Sequence, residues 1–500
     1  MEFCYELLKG LPAYTGGNTS VGLYDAGRGL EDDRVVEALP LPIENGASMT
    51  AEEFKAAVDA LIRACGGVWE NSPSGRLSVK VFFNQRVWQL RHENGTVTAF
   101  CVDEYMPTET ADGAHLRAVI HTNADEFAAY IDRLKDAGFA VTFENAIEGN
   151  LYRELKKDGR RLYAYYTAGD GTARFIDDTV GHGIVGFGYR AEGAAGATEL
   201  YQYALRQAWR VNGSVTDCGM LYVLKLSDGS LFLVDGGAYE QATDEAVEHL
   251  YAFLRERTAT KAGDKLRIAG WFCTHAHNDH MDLFGKLLRL HHEEIDLERV
   301  LFNFPSSRHY RLSPLVYTCI NRIRKYYPHV RYLKPHSGHS FTLADATFEV
   351  LHTHEDYMSL GCDELPEDFN DTSTVVKVTF EGKTFLILGD TNRAGEAQLL
   401  RHYTADTLKV DIVQAAHHVF NMLYYLYEVT DPTYILAPTR PESKTNHDRV
   451  KYRRLILSRD EDKVYFSSEA GTVGFAVREG ALEPIYHDVL HGGDFDGSDL

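Results

Sequence analysis

Three histidines and an aspartate, His275, His277, Asp279 and His280, follow an apolar run in the second half of this 500-residue chain. The run, residues 266–273, predicts a buried strand. Side chains two positions apart in an extended segment project to the same side, so His275 and His277 can bind one metal ion. A turn after the strand lets Asp279 and His280 face a second ion. Imidazole nitrogen and carboxylate oxygen suit zinc, iron(II) or manganese.

The alternative for this cluster is a chance group of surface histidines on a solvated loop. We disfavour it because residue type, spacing and position after a buried strand all agree with metal binding.

The His-x-His-x-Asp-His spacing of residues 275–280 resembles the motif of the metallo-β-lactamase superfamily, and other segments extend the resemblance. An apolar segment ends at Asp235, another ends at Asp390 after a glycine, and a third ends in the doublet His417-His418. The resemblance implies an α/β fold, namely the metallo-β-lactamase αββα sandwich, over roughly residues 205–480. It also implies two divalent metal ions, with zinc expected and manganese or iron as alternatives.

The branch that the chain resembles most contains the hydrolase domain of DNA-uptake competence proteins and the bacterial phosphorylcholine esterases. Asn370-x-x-Ser373 stands before the segment that leads to Asp390, as in that branch. The doublet His417-His418 matches the branch's His-His-Gly-Ser, although Val419 and Phe420 replace its last two residues. Asn446-His447 and the following segments are similar to its closing region. The replacement puts substrate contacts in question more than metal binding.

The resemblance implies six metal ligands: His275, His277, Asp279, His280, Asp390 and His417. His275 and His277 would bind the first ion and Asp279 and His280 the second, with Asp390 between them. His417 would complete the second site, with His418 as the alternative.

Four further roles belong to residues around these ligands. His352 lies where many family members carry another ligand, but its surroundings lack the family pattern, so we prefer a structural role for it. Asp235 is expected to orient the cluster by hydrogen bonding. Asp279 is also expected to orient the nucleophile, and His447 to donate a proton or hold substrate.

A binuclear metal-dependent hydrolase is the function that these residues favour. Enzymes of this kind attack phosphorus or carbonyl carbon with a hydroxide held between the metals. Phosphodiesters are favoured as substrates by resemblance alone. The alternatives are an ester or thioester hydrolase, an iron-dependent oxidoreductase of the same fold, and a non-catalytic metal-binding module, which would be expected to have a broken motif.

The chain is too long for one ordinary core, so we expect an α+β N-terminal domain over residues 1–195 and the hydrolase domain over 205–485. We expect residues 486–500 to form an acidic tail. The Gly- and Ala-rich segment 181–196 is the expected boundary, followed by a helix over 200–210.

Smaller motifs predict local structure on both sides of this boundary. Asn94-Gly95 predicts a hairpin, and Asn123 caps a helix that stops at Gly138. Alternating aromatics at Tyr163 and Tyr165 favour a core strand. His336 and His339 flank a Ser-Gly turn and are expected to be loop histidines.

Composition limits the partners and the compartment. A net charge of −22 argues against broad binding of nucleic acid and favours a small-molecule substrate. The 7 scattered cysteines are typical of reduced thiols. No apolar run is long enough to span a membrane, and the N-terminus lacks a secretory pattern, so we expect a cytoplasmic protein. The sequence predicts no oligomeric state.

Overall fold

The computed structural model of the chain describes residues 11–12, 14–16, 18–25, 35–44, 68–70, 80–83, 86–93, 96–102, 115–178, 182–193, 196–205, 210–211, 214–215, 219–238, 242, 244–305, 314–358, 366, 368–419, 423, 425–439, 461–467 and 471–488. The predicted helix over 200–210 is wrong at its start, because residues 199–202 form a strand. Phe420 and His447 lie outside the described residues.

The first part of the chain forms two antiparallel sheets. Its strands are β1 (Asn18–Asp25), β2 (Val35–Glu44), β3 (Val68–Glu70), β4 (Lys80–Phe83), β5 (Arg86–Glu93), β6 (Thr96–Val102), β7 (His115–Ile120), β8 (Ala140–Ile147), β9 (Asn150–Lys157), β10 (Arg160–Thr167) and β11 (Thr172–Asp177). One sheet has the order β2-β6-β5-β4-β3. The other, β1-β7-β11-β10-β9-β8, is called the N-terminal sheet below. Strands β5 and β6 pair through Glu93 and Thr96, which confirms the predicted hairpin.

A helix covers one face of the N-terminal sheet. This helix, α1 (Ala124–Asp136), begins after Asn123, whose side chain accepts a hydrogen bond from the backbone N–H of Glu126. The chain leaves the helix through Gly138 at a φ of 96°, a conformation that costs glycine little. Phe127 and Leu134 pack with the apolar side chains of the sheet. The predicted cap and stop are therefore confirmed.

The second part contributes two larger sheets and six helices in the described residues. The strands are β12 (Glu199–Gln202), β13 (Arg210–Val211), β14 (Ser214–Val215), β15 (Leu221–Lys225), β16 (Leu231–Asp235), β17 (Leu266–Phe272), β18 (Ile295–Leu297), β19 (Arg299–Leu301), β20 (Arg331–Leu333), β21 (Ser340–Leu343), β22 (Ala346–His352), β23 (Val375–Phe380), β24 (Lys383–Ile387), β25 (Ile412–Gln414), β26 (Tyr434–Ala437), β27 (Val464–Phe466), β28 (Thr472–Arg478) and β29 (Ala481–Asp488). The helices are α2 (Asp244–Arg257), α3 (Asp282–Leu290), α4 (Pro314–Tyr326), α5 (Arg393–His402), α6 (Ala405–Leu408) and α7 (Leu426–Thr430).

These two sheets face each other across an apolar core. The first has the order β20-β19-β17-β16-β15-β12-β28-β29, with β18 also paired to β17, and the second runs β21 to β27 in sequence order. Phe232 of the first sheet meets Phe348 of the second, with ring centroids 4.4 Å apart. Helices α2 to α4 share a second apolar cluster with the outer face of the first sheet. This layering is the predicted αββα sandwich, and the α/β fold class is confirmed.

The outer face of the second sheet is covered by helices α5 to α7 and by the N-terminal sheet. Tyr163 and Tyr165 of β10 share one apolar cluster with Leu386 and Leu399. Both tyrosines are buried, which confirms their prediction as core residues. The N-terminal sheet is thus an additional layer of the sandwich.

Two further features differ from or add to the sequence expectations. Strand β29 continues to Asp488, three residues into the predicted tail 486–500. No helix in the described part of the chain is long and apolar enough to cross a membrane.

Candidate metal centre

The predicted metal-binding residues come from strand ends at one edge of the sandwich. Parallel strands β16 and β17 of the first sheet lead to Asp235 and to the segment that carries His275. Parallel strands β24 and β25 of the second sheet lead to Asp390 and to the doublet His417-His418. Parallel neighbours end on the same side of a sheet, so these polar residues converge. The backbone N–H of Thr374 donates to the carbonyl of Thr274 at 2.8 Å and joins the two sheets there.

Four of these side chains form the first group that could hold an ion. They are Asp279, His280, Asp390 and His418. Asp390 Oδ2 lies 3.2 Å from His280 Nε2 and 3.5 Å from His418 Nε2. Asp279 Oδ2 lies 3.3 Å from His418 Nε2. Two carboxylates and two imidazoles make up a ligand set that suits zinc and similar divalent ions.

A second group lies beside the first and shares Asp390 with it. Its members are His275, His277 and Asp390. His275 Nε2 is 3.0 Å from His277 Nδ1 and 3.8 Å from Asp390 Oδ2. One carboxylate thus faces both groups, which is the arrangement of a carboxylate that bridges two ions.

Asp235 holds the ring of His280 from the side away from the ligands. Its Oδ2 lies 2.7 Å from His280 Nδ1, and both residues are fully buried. Its carboxylate also accepts hydrogen bonds from the backbone N–H and the hydroxyl of Thr274. Because Nδ1 is engaged, Nε2 is the atom that His280 presents to the centre.

Burial and neighbouring charged groups together set the pKa values of the residues at the centre. Burial lowers the pKa of His275 well below its ordinary value, and the neighbouring imidazoles lower it further. Burial would also lower the pKa of His280, but the carboxylates of Asp390, Asp235 and Asp279 raise it well above its ordinary value. Burial raises the pKa of Asp390, yet the adjacent imidazoles hold it well below its usual range. The carboxylate of Asp390 is therefore charged at neutral pH and attracts a cation.

Buried polar atoms at the centre show that the residues fit a metal. Within the described residues, Asp390 Oδ1 is buried and finds no hydrogen-bond partner, and buried His280 Nε2 makes no well-aligned hydrogen bond although Asp390 Oδ2 is 3.2 Å away. Such atoms are costly unless something else satisfies them. A divalent cation would satisfy both, and each atom belongs to a type that binds zinc, manganese or iron.

No protein-family model matches the chain, and the comparison with curated proteins gives no match. Its structural neighbours are metallo-β-lactamase-fold proteins. YhfI of Bacillus subtilis, described as a metallo-beta-lactamase fold protein, is similar at 12% identity and a TM-score of 0.33, over 58% of this chain and 100% of that one. Human tRNase Z, short form, is similar at 14% identity and a TM-score of 0.28, over 48% and 90%.

Another similar structure is CmlA, a diiron beta-hydroxylase from Streptomyces venezuelae. It has 14% identity and a TM-score of 0.31, and the match covers 55% of this chain and 53% of CmlA, about half of its length. Likenesses this distant carry no conclusion about the reaction of this chain.

The histidine doublet differs in detail from the sequence expectation. His417 was expected in the second site, but the four-residue group contains His418 instead. Both residues have a φ of 48°, so the backbone reverses within the doublet. His418 Nδ1 lies 3.2 Å from the carbonyl of Pro438, and its Nε2 faces the carboxylates. His417 lies between Asn392 and Asn370, with Nε2 3.8 Å from Asp390 Oδ2.

His352 belongs to neither ligand group in the described part of the chain. His352 is buried with Nδ1 3.1 Å from Asp356 Oδ2, which agrees with a structural role. His447 lies outside the described residues, so its predicted role stays a prediction.

Several residues around the centre were not singled out as site residues by the sequence. The ring of Phe369 lies 4.8 Å from the ring of His277. Ser373 Oγ accepts the backbone N–H of Asp390 at 3.0 Å and fixes the shared carboxylate. Asn392 stands two residues after Asp390 and contacts His417. The Asn370-x-x-Ser373 motif is the sequence signal that contains one of these residues, Ser373.

Proposed function

We propose that this chain is a binuclear metal-dependent hydrolase, with zinc as the first metal to test. The observation that carries the proposal is the position of Asp390, whose carboxylate belongs to both ligand groups. His275 and His277 would hold one ion, and Asp279, His280 and His418 the other. A metal pair of this kind, when bound, lowers the pKa of water towards neutrality and polarises the group under attack.

The residues of the chain support this chemistry in three ways. Asp235 fixes the ring of His280, and Ser373 fixes the backbone of Asp390. Asp279 is the most exposed member of its group, with 22% of its side chain accessible, whereas the other three members are buried. A carboxylate at this position can accept a hydrogen bond from an attacking water and orient it. The burial of the other ligands excludes bulk water from them.

A phosphodiester is the substrate class that we propose. The support is the resemblance of Asn370-x-x-Ser373 and the His417-His418 doublet to the competence-protein and phosphorylcholine-esterase branch. The net charge of −22 disfavours a long polyanion and favours a small diester.

Metal content and hydrolysis of bis(p-nitrophenyl) phosphate test the proposal together. Wild type is expected to hold about two ions per chain and to turn over the diester. Asp390→Asn is expected to lose turnover and at least one ion. Asp411→Asn is the matched control, because Asp411 lies just before β25, at the end of the strand away from the centre, and accepts hydrogen bonds from Thr384 of β24. It should keep both ions and the activity.

The other outcomes separate the alternatives. Two ions without diester turnover would move the search to esters and thioesters, tested with p-nitrophenyl acetate and an acyl thioester. Iron with oxygen-dependent chemistry would contradict the hydrolase. Protein purified without chelators that holds no metal would contradict the whole proposal.

A further inference from the structure

The N-terminal sheet contacts the sandwich through a buried arginine. Arg174 of β11 is fully buried and forms an ion pair with Asp170 at 2.8 Å. Its guanidinium also donates to two backbone carbonyls of the sandwich, those of Asp356 at 3.0 Å and Met358 at 2.8 Å. A planar guanidinium can make these contacts at once, which a lysine ammonium cannot reproduce. Arg174 therefore fixes the backbone on both sides of Tyr357.

A second residue of the N-terminal sheet, Tyr165, contacts the same segment of the sandwich. The hydroxyl of Tyr165 donates to Asp356 Oδ1 at 3.0 Å. The other oxygen of Asp356 accepts the backbone N–H of Thr353 and so closes the short 3₁₀ turn His354–Tyr357. All of these groups are buried.

Tyr357 connects this segment to residues beside the metal centre. Its hydroxyl donates to the carbonyl of Asp371 at 2.8 Å. The carboxylate of Asp371 accepts the backbone N–H groups of Asn392 at 2.7 Å and Gly395 at 2.9 Å. Asp371 thereby holds the first turn of α5, directly after Asp390.

Residues 369–374, called the bridging segment here, make four contacts with residues in the metal centre or directly beside it. Phe369 lies against the ring of His277, and Asn370 Nδ2 is 3.4 Å from His417 Nε2. Ser373 accepts the backbone N–H of Asp390. The backbone N–H of Thr374 reaches the other sheet. The bridging segment therefore contacts ligand-bearing residues of both sheets.

We propose that Arg174 and Tyr165 are positioning residues, through which the N-terminal sheet sets the place of the bridging segment and hence the geometry of the metal centre. The proposal rests on the proposed function only in requiring that the centre binds metal. It gives the N-terminal sheet a role in the site although none of the sheet's residues belongs to either ligand group. The competing explanation is that the buried contacts stabilise the fold and have no specific effect on the centre.

Cobalt binding to the full chain separates these explanations. The variants are Arg174→Lys and Tyr165→Phe, and the matched control is Tyr152→Phe. Tyr152 lies in the neighbouring strand β9, is equally buried, and loses a hydroxyl contact with Tyr403 rather than with Asp356. Each protein is titrated with Co²⁺, followed by its visible absorption, and unfolded in urea to compare stability.

Arg174→Lys is expected to weaken Co²⁺ binding on the order of tenfold and to change the visible spectrum. Tyr165→Phe should act in the same direction and more weakly, and it serves if Arg174→Lys does not fold. Tyr152→Phe should bind Co²⁺ like wild type at a comparable loss of stability. Affinity and spectrum unchanged in both test variants, or equal weakening in the control, would overturn the positioning role.

Steady-state kinetics of diester hydrolysis provide a second test of the positioning role. With the metals saturating, a displaced centre should lower kcat for the diester more than it raises KM. Wild type that binds Co²⁺ without hydrolysing a diester would overturn only the proposed reaction, and the cobalt comparison would still decide the positioning role. Wild type that binds no Co²⁺ would overturn both.

Discussion

Asp235 and His280 form a buried carboxylate–imidazole pair, with 2.7 Å between Oδ2 and Nδ1. The two residues are 45 positions apart and meet because β16 and β17 are parallel neighbours. Asp235 is held in turn by the backbone N–H and the hydroxyl of Thr274. The direction of His280 Nε2 is therefore fixed before any metal binds.

Asp235→Asn is expected to weaken Zn²⁺ binding roughly 10- to 100-fold, the usual effect of losing a carboxylate behind a metal-binding histidine. The φ of Asp235 is 56°, which asparagine tolerates, so the backbone can remain as it is. If the amide oxygen of the new asparagine still accepts a hydrogen bond from Thr274, the amide NH₂ would face Nδ1 of His280. This would favour the His280 tautomer in which Nε2 carries the proton. Competition with a chromophoric chelator measures the affinity. Asp228→Asn, before the same strand, should have wild-type affinity, and equal affinity in all three proteins would contradict the prediction.

The residues that the sequence located well are those whose positions depend on local structure. His275, His277, Asp279 and His280 follow one buried strand within a few residues, so strand geometry alone brings them together. Asp390 was located through the family resemblance, which implies a metal-binding carboxylate after a later apolar segment that ends in glycine. The α/β class followed from alternating strands and helices.

The histidine doublet could not be resolved in the same way. His417 and His418 are adjacent, and a small change of backbone direction decides which ring turns inward. His417, His418 and Val419 have φ values of 48°, 48° and 63°, which residues other than glycine adopt rarely. Such a turn is imposed by tertiary contacts and has no sequence pattern.

His336 and His339 show a second limit of local patterns. The Ser-Gly turn between them predicts a loop, yet both side chains are buried. His336 is held by Asp178, which is 158 positions away on the N-terminal side of the chain. No periodicity indicates a partner at that distance, and the docking of the N-terminal sheet was unpredictable for the same reason.

Substitution of each histidine of the doublet should have a different effect on metal content. His418→Gln is expected to lose one of the two ions, because His418 Nε2 faces both Asp279 and Asp390. His417→Gln should retain both ions, since His417 belongs to neither ligand group and its ring nitrogens contact Asn370 and Asn392. Elemental analysis after dialysis against metal-free buffer gives the count. The reverse pattern would assign His417 to the second site.

The stability of the protein should fall as the pH rises through about 9 because of His336. Burial lowers its pKa, but contacts of 2.8 Å to Glu355 and 2.9 Å to Asp178 raise it from 6.5 to about 9. The charged groups around it are Glu355, Asp178, Arg161 and Lys334, and the rings of Tyr163 and His339 pack against it. Since the folded pKa is the higher one, the stabilisation is complete below pH 6.5 and is lost as the pH approaches 9.

The difference between 9 and 6.5 is about 2.5 in pKa, which corresponds to an upper value on the order of 3 kcal/mol. Urea unfolding of wild type and His336→Gln at several pH values between 6 and 10 measures it. The free-energy difference between the two proteins should shrink as the pH rises. A difference that is constant across this range would show that His336 does not carry a proton there.

Gly389 should be required for the metal centre for a steric reason. Its φ is 57°, and an added Cβ would lie 2.8 Å from Ser373 Oγ and 2.9 Å from Thr274 Cβ. Both neighbours are fully buried, so the clash can be relieved only by moving the backbone next to Asp390. We expect Gly389→Ala to lose at least one metal ion in addition to stability.

Gly382→Ala is the control that distinguishes the effect of a steric clash from the effect of backbone strain at a positive φ. Gly382 has a φ of 75° just before β24, and an added Cβ there meets no atom within 4 Å in the described part of the chain. It should cost about 1 kcal/mol of unfolding free energy from the left-handed conformation alone, with metal content unchanged. Gly389→Ala should cost clearly more in urea unfolding and lose metal in elemental analysis. If both variants kept two ions, the contact of Gly389 with Ser373 and Thr274 would not determine the position of Asp390.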